Sequence, residues 1–341
     1  MIINSDIYHR SVSFFIILLF SLCTYAQQKL SGVIYDDSTK EPLEAVVIYF
    51  DGTTQGTITD AVGKFFLEIN SNYKGKVIIT YLGYKTVILD LSTMTDYNNV
   101  LVYLTEEIES LDPIYLKTDD WSREKKLRYF KKYFIGELWL QEQCEIINEK
   151  DIRLYYSAAE ETLYASSSIP LTIRNNYLGY TVTYYLTDFE LKFSLGSSGL
   201  RLVNSIYLSG TSFFKESRKK IKKKYISRRK ESFEGSMLHF MRSLALKELK
   251  ENKFRVFYKG FAGDPYKYFS VKLIDNFAKV SLGVDRVSIL YNEKHQTDMW
   301  MSTDYFLIDG FGNYTPTDQL FFSGYMANQR VGMMLPLDYN L

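Results

Sequence analysis

The chain has 341 residues, with 41 Lys or Arg against 40 Asp or Glu and a formal net charge of +1. That balance excludes bulk attraction to nucleic acid and excludes an acidic polyelectrolyte. With two cysteines and three histidines, no disulfide framework or histidine-rich metal centre can carry the fold, and a chain of this length stands on its apolar core.

At the N-terminus, Arg10 precedes an apolar run over residues 12–22, and Thr24-Tyr25-Ala26 follows. A positive residue, a short apolar stretch and small residues for cleavage have the form of a secretory signal over residues 1–26. Such a run is too short for a hydrocarbon layer of about 30 Å, so no transmembrane helix is expected in the mature chain. Cys23 offers lipidation as an alternative, opposed by the bulky Leu22 before it. Cleavage after Ala26 leaves Cys144 as the one cysteine. With no base near it in the sequence, Cys144 reads as a small buried apolar residue and not as a nucleophile.

From residue 27 to 105, short apolar strands alternate with turns. Gly32-Val33-Ile34-Tyr35 is turned by Asp36-Asp37-Ser38, whose short polar side chains bond their own backbone. Pro42 suits the entry to the strand at 45–50. Asp51-Gly52, Gln55-Gly56, Asp60-Ala61-Val62-Gly63 and the break at Gly83 punctuate further strands at 64–69, 77–81 and 85–91, and a last one lies at 100–104. Strands at this spacing with no helical period predict a small β-sandwich.

The ordered set Gly32-x-Ile34, Pro42-Leu43, Ala45-x-Val47, Gly52-Thr53, Gly56-Thr57-x-Thr59-Asp60, Gly63-x-Phe65 and Tyr81-x-Gly83-Tyr84 resembles the carboxypeptidase regulatory-like domain. That family is abundant in secreted and outer-membrane proteins of Bacteroidota type. The resemblance implies a transthyretin/Ig-like sandwich without catalytic residues. It covers under a quarter of the chain.

Residues 106–120 read as a linker, with acids between Glu106 and Asp112 and a break at Pro113. A second unit, 121–341, is expected to be an α+β domain with antiparallel strands and two or three helices. Ser122 is a candidate N-cap for a helix carrying Leu127, Phe130 and Phe134, ended by Gly136. The period then shifts towards two: Phe189, Leu191 and Phe193 on one face against Asp188, Glu190 and Lys192 on the other, with a similar row at Tyr180, Val182 and Tyr184. Met237, Phe240, Met241, Leu244, Ala245 and Leu249 predict an amphipathic helix beginning near Ser236.

Between Lys215 and Lys230 lie ten basic residues, read as a basic helix with Phe214, Ile221 and Tyr225 roughly on one face. Arg218, Lys219, Lys220, Lys222, Lys223, Lys224, Arg228, Arg229 and Lys230 are the candidate contacts to an anionic surface or a partner. A solvated face paired with nearby acids is the simpler reading. The functional one is attraction to anionic lipid headgroups, lipopolysaccharide or an acidic protein.

The second unit also resembles the C-terminal region of secreted proteins that carry the same regulatory-like module. Its carrying residues are Ile173-x-Asn175 with Leu178-Gly179-Tyr180, Gly235-Ser236-x-x-His239-Phe240-x-Arg242-Ser243-Leu244, and Gly324-Tyr325-Met326 with Leu335-Pro336-Leu337-Asp338-Tyr339. This resemblance implies no activity.

Chemistry is sparse. Only His239 and His295 survive cleavage of the signal, and no H-E-x-x-H or carboxypeptidase-like ligand spacing surrounds them. Metallocarboxypeptidase activity is therefore not expected, and neither is a metal or other cofactor. There is no G-x-S-x-G elbow, and His239 reads as structural. Glu160-Glu161 is read as a strand pair with its carboxylates on opposite faces, which does not make a glycosidase site.

The expected function is a non-enzymatic cell-envelope protein. The sandwich serves as an adaptor, and the second unit binds an envelope protein or glycan, with the outer-membrane surface as a further contact. The alternatives are a glycan-active enzyme and an accessory subunit of an outer-membrane transporter. The expected address is exported, in the periplasm or at the outer membrane or cell surface, away from nucleic acid.

Overall fold

A computed structural model describes residues 28–70, 73–107, 119–196 and 200–340. The expected signal segment and most of the expected linker lie outside them.

The first unit holds β1 (Gln28–Asp36), β2 (Val47–Phe50), β3 (Gly56–Ile58), β4 (Lys64–Ile69), β5 (Lys76–Thr80), β6 (Val87–Asp90) and β7 (Val100–Leu104). They form two sheets, ordered β4-β1-β7 and β3-β2-β5-β6, with β1 and β7 parallel. Period-two burial builds the interior. In β4, Phe65, Leu67 and Ile69 point inward while Lys64, Phe66 and Glu68 face water. Leu30, Ile34, Ile48, Phe50, Val77 and Ile79 complete the core from both sheets, as expected of a sandwich.

Its turns follow from the residues that make them. Asp36 Oδ1 accepts the backbone N–H groups of Ser38 and Thr39, and Oδ2 accepts the Tyr84 hydroxyl. The hydrogen bonds from Ser38 and Tyr84 lead in holding this carboxyl well below the usual range. Gly63 has φ +71°, and a Cβ there would lie 2.6 Å from the Ile34 carbonyl oxygen, so only glycine fits.

The second unit contains α1 (Arg123–Phe134), α2 (Leu138–Gln141), β8 (Cys144–Ile146), β9 (Arg153–Ser157), β10 (Thr162–Ser166), β11 (Leu171–Asn175), β12 (Tyr180–Leu195) and β13 (Arg201–Glu216). Ser122 caps α1 by accepting the Lys125 N–H. The 16-residue β12 organises the sheet. One edge pairs with β13 along its length, and the other takes β11 near its start and β10 further on. Phe130 and Phe134 of α1 pack on the inner face of β12, against Phe189 and Tyr184.

The third unit runs from α3 (Lys223–Phe233) and α4 (Met237–Ala245) through β14 (Phe254–Tyr258), β15 (Phe261–Gly263), β16 (Phe269–Ile274), β17 (Phe277–Leu282), β18 (Arg286–Tyr291), β19 (His295–Met301), β20 (Phe306–Ile308), β21 (Tyr314–Thr315) and β22 (Leu320–Gly324). Its sheets are ordered β15-β14-β18-β19-β22 and β16-β17-β20-β21. Phe240, Met241 and Leu244 of α4 sit in one core with Phe254, Ile289, Met299 and Phe306. Residues 121–340, read as one domain from sequence, thus contain two separate hydrophobic cores.

The three units are joined by the β13 end and the C-terminal tail. Gly52 N–H donates to the Ser212 carbonyl, Phe214 N–H to the Thr53 carbonyl, and Asp51 Oδ1 accepts the Ser212 N–H at 2.8 Å. Phe311 leaves the third unit to pack edge-on against Tyr73 inside the sandwich core. The tail then touches every core, with Met326 in the third unit, Val331 and Leu335 in the second, and Leu337 against the first. Arg242 ties the tail down by donating to the carbonyls of Phe311, Leu337 and Tyr339 at 3.0, 2.6 and 2.8 Å.

Two local readings are corrected. The basic run is not one helix: Lys215 and Glu216 end β13, residues 217–222 form a loop, and only residues from Lys223 on are helical. Phe214 therefore lies on a strand and shares no helix face with Tyr225. The Glu160-Glu161 pair lies in the turn between β9 and β10, where Glu161 has φ +46°.

Candidate functional site

The ten basic residues divide by what they touch. Arg229 is turned inward at 4% exposure. Its guanidinium meets both oxygens of Glu216 at 2.7 and 2.8 Å, donates to the Leu178 carbonyl, and lies 3.7 Å over the Tyr180 ring. Arg228, half-buried, covers Tyr177 at 4.6 Å and donates to the Tyr177 carbonyl. Arg229 is thereby withdrawn from the surface as an expected contact, while Arg228 stays half-exposed but is held against Tyr177; guanidinium planarity and multiple donors suit both to these roles. Lys230 lies 3.8 Å from Glu234, a loose i,i+4 pair. Lys215, Arg218, Lys219, Lys220, Lys222, Lys223 and Lys224 are exposed and make no ion pair among the described residues.

Beside α3 lies a cavity of about 410 Å³. Phe233, His239, Tyr291 and Tyr339 give it an aromatic interior. Ile226, Lys230, Glu234, Glu251, Lys253 and the amides Asn252 and Asn340 bring charged and polar groups to it. No local sequence signal marks this convergence, because its members come from α3, α4, the loop before β14, the end of β18 and the tail.

His239 shapes the cavity from below. Ser236 caps α4 by accepting the His239 N–H, and His239 Nδ1 in turn accepts the Gly235 N–H at 3.1 Å. The back-bond reaches the residue before the N-cap, since the Ser236 N–H itself donates to the Phe233 carbonyl, so Ser236 and His239 between them hold the α3–α4 turn. The accepting Nδ1 fixes the proton on Nε2. Burial pushes the imidazole pKa down, against the opposing influence of Asn252 and Glu234. The ring is enclosed by Phe233, Phe254 and Tyr291 at centroid distances of 4.7, 5.0 and 5.6 Å. Gly235 has φ +78°, and a Cβ there would meet Tyr291 Cδ1 at 2.5 Å, so the turn requires glycine.

Other candidates have structural roles. Cys144 is buried in the second core, where burial pushes its thiol up to about 12. His295 stacks on Tyr325 at 3.9 Å. Glu161 accepts from the Tyr156 hydroxyl and Arg201 Nε. Among the described residues no group of His, Cys, Asp and Glu is arranged to hold a metal ion, and no helix is long and apolar enough to cross a membrane.

Residues 30–115 match the family model of the CarboxypepD_reg-like domain. No curated protein matched the chain. The match falls on the two-sheet unit and stops before α1, so the second and third units lie outside it. The N-terminal sandwich of this chain is a carboxypeptidase regulatory-like domain, a non-catalytic module.

Proposed function

We propose that this chain is an exported, non-enzymatic cell-envelope protein in which the regulatory-like sandwich is the scaffold and the C-terminal units bind an envelope glycan. The cavity beside α3 carries the reading. Aromatic rings offer stacking faces to the C–H side of a sugar ring. Asn252, Asn340, Glu234, Glu251, Lys230 and Lys253 supply donors and acceptors around them. A cavity of this size falls within the usual range for small-ligand sites. His239, the one histidine in it, already accepts a backbone hydrogen bond through Nδ1 and packs among three rings, which supports a structural and not a catalytic role.

The address rests on the signal-like N-terminus and on the regulatory-like module. Docking to an outer-membrane protein, including a transporter, is compatible with the same scaffold, and cross-linked capture from the native envelope tests it. A second reading has its own observation: Glu234 and Glu251 line one cavity, and paired carboxylates are what glycoside hydrolysis requires. Screening the exported chain against peptidoglycan fragments and lipopolysaccharide core oligosaccharides separates the two. A binder retains them and leaves them intact, whereas an enzyme releases product and loses that turnover in a Glu234→Gln or Glu251→Gln variant.

A further inference from the structure

The ten consecutive residues 215–224 are all exposed, and seven of them are Lys or Arg. The acid among them, Glu216, is already committed to the buried Arg229. The seven cations therefore stand together with no carboxylate neutralising them among the described residues. Helix stability does not account for the pattern. Lys222, Lys223 and Lys224 occupy the N-cap and first turn of α3, which has no acid there and no side-chain cap. Positive charge at that end opposes the helix dipole.

Apolar side chains flank the charge. Ile221 and Ile226 are 41% and 56% exposed within the same loop and helix. On the adjoining surface Trp139 is half-exposed and packs edge-on against Tyr177, the ring that Arg228 covers, and Leu138 beside it is exposed. A lysine-rich surface bordered by exposed aliphatic and indole side chains is the composition of an interfacial membrane contact.

We propose that this face docks the protein peripherally on a lipid surface bearing anionic phosphate headgroups. Lysine chemistry favours a lipid layer over an acidic protein. Six of the seven free cations are Lys, while both Arg residues of α3 are used inside the fold. Ammonium groups on flexible stems suit a diffuse, laterally mobile layer of charge; discrete recognition of protein carboxylates favours the guanidinium fork. The contact shares Ile226 with the cavity, but none of its seven cations lines that cavity, and it stands whether or not the cavity holds a glycan.

Sedimentation of the full chain with vesicles tests this. Vesicles of phosphatidylglycerol and phosphatidylethanolamine should carry the protein down, vesicles of phosphatidylcholine alone should not, and raised salt should release it. Each lysine at such a surface contributes about fivefold in partitioning. The triple variant Lys222→Glu, Lys223→Glu, Lys224→Glu should therefore lose at least about a hundredfold. Glutamate in the first turn favours the helix, so α3 should persist, as circular dichroism can verify. The pair Lys219→Glu, Lys220→Glu in the loop leaves α3 untouched and should weaken binding in the same sense. Equal sedimentation with both vesicle types, no sedimentation with either, or unchanged binding by both variants overturns the proposal. Loss of a captured acidic envelope protein by the triple variant, without any vesicle binding by the unmodified chain, assigns the face to that protein instead.

Discussion

Arg229 and Glu216 form a two-pronged ion pair that joins the middle of α3 to the end of β13. It decides two things at once. It fixes the helix against the second unit through Tyr180 and the Leu178 carbonyl, and it commits the one acid of the basic run to Arg229, so that it does not neutralise the exposed cations. The positive face therefore follows from how the fold uses its arginines.

Replacing Arg229 with Lys keeps the charge and loses the fork. Lysine cannot meet both Glu216 oxygens and the Leu178 carbonyl with the geometry seen here. A destabilisation of roughly 2–3 kcal/mol is expected in urea unfolding. A midpoint within error of the unmodified chain would show that the pair does not hold α3.

His239 should make stability depend on pH. Its folded-state pKa lies below the ordinary value because burial disfavours the charged ring. Its contribution is therefore complete above about pH 6.5 and is lost as pH falls through the lower folded value. His239→Asn keeps an acceptor for the Gly235 N–H and cannot titrate. Below pH 6.5 the melting temperature of the unmodified chain should fall relative to this variant, and parallel profiles would show that burial does not hold the ring neutral.

Asp51 and Asp309 act with the opposite sign. Both sit where the sandwich meets the other units, and burial pushes each carboxyl up to about 6. A raised folded pKa means that stability is greatest below the unfolded value of about 4 and declines as pH rises through about 6. Asp51→Asn preserves the acceptor for the Ser212 N–H. Between those limits the unmodified chain should lose stability relative to this variant as pH rises, measured by thermal unfolding in matched buffers. A constant difference would mean that Asp51 is ionised throughout.

Gly235→Ala places a methyl against Tyr291 at a positive φ. The strain should cost about 1–3 kcal/mol, and displacement of the Tyr291 ring should alter the cavity wall. Unchanged stability would contradict the tight packing between the α3–α4 turn and β18.

The sandwich was legible because its information is local. Turn residues such as Asp36 and Gly63 announce themselves within a few positions, and alternation in residues 64–69 shows which side is inside. Ser122 and Ser236 marked helix starts for the same reason. The basic run misleads because Phe214, Ile221 and Tyr225 fall at a helix-like spacing although they lie on a strand, a loop and a helix in turn, and the Lys residues between them mark none of those boundaries. The cavity and the tail were hidden for a different reason. Leu337 meets Gly52, and Tyr339 meets Phe233, only after three cores have assembled. No sequence-local signal encodes such contacts.

Binding of an envelope glycan beside α3, left intact, is the core of the function proposed for this chain. Calorimetric titration of the exported protein with peptidoglycan fragments and lipopolysaccharide core oligosaccharides tests it most directly, with the recovered sugars analysed for cleavage. Saturable binding of one class is expected, weakened about tenfold or more in a Tyr339→Ala variant that removes one stacking face, with intact sugars afterwards. Absence of binding to every fragment, or recovery of cleaved sugar, would contradict it.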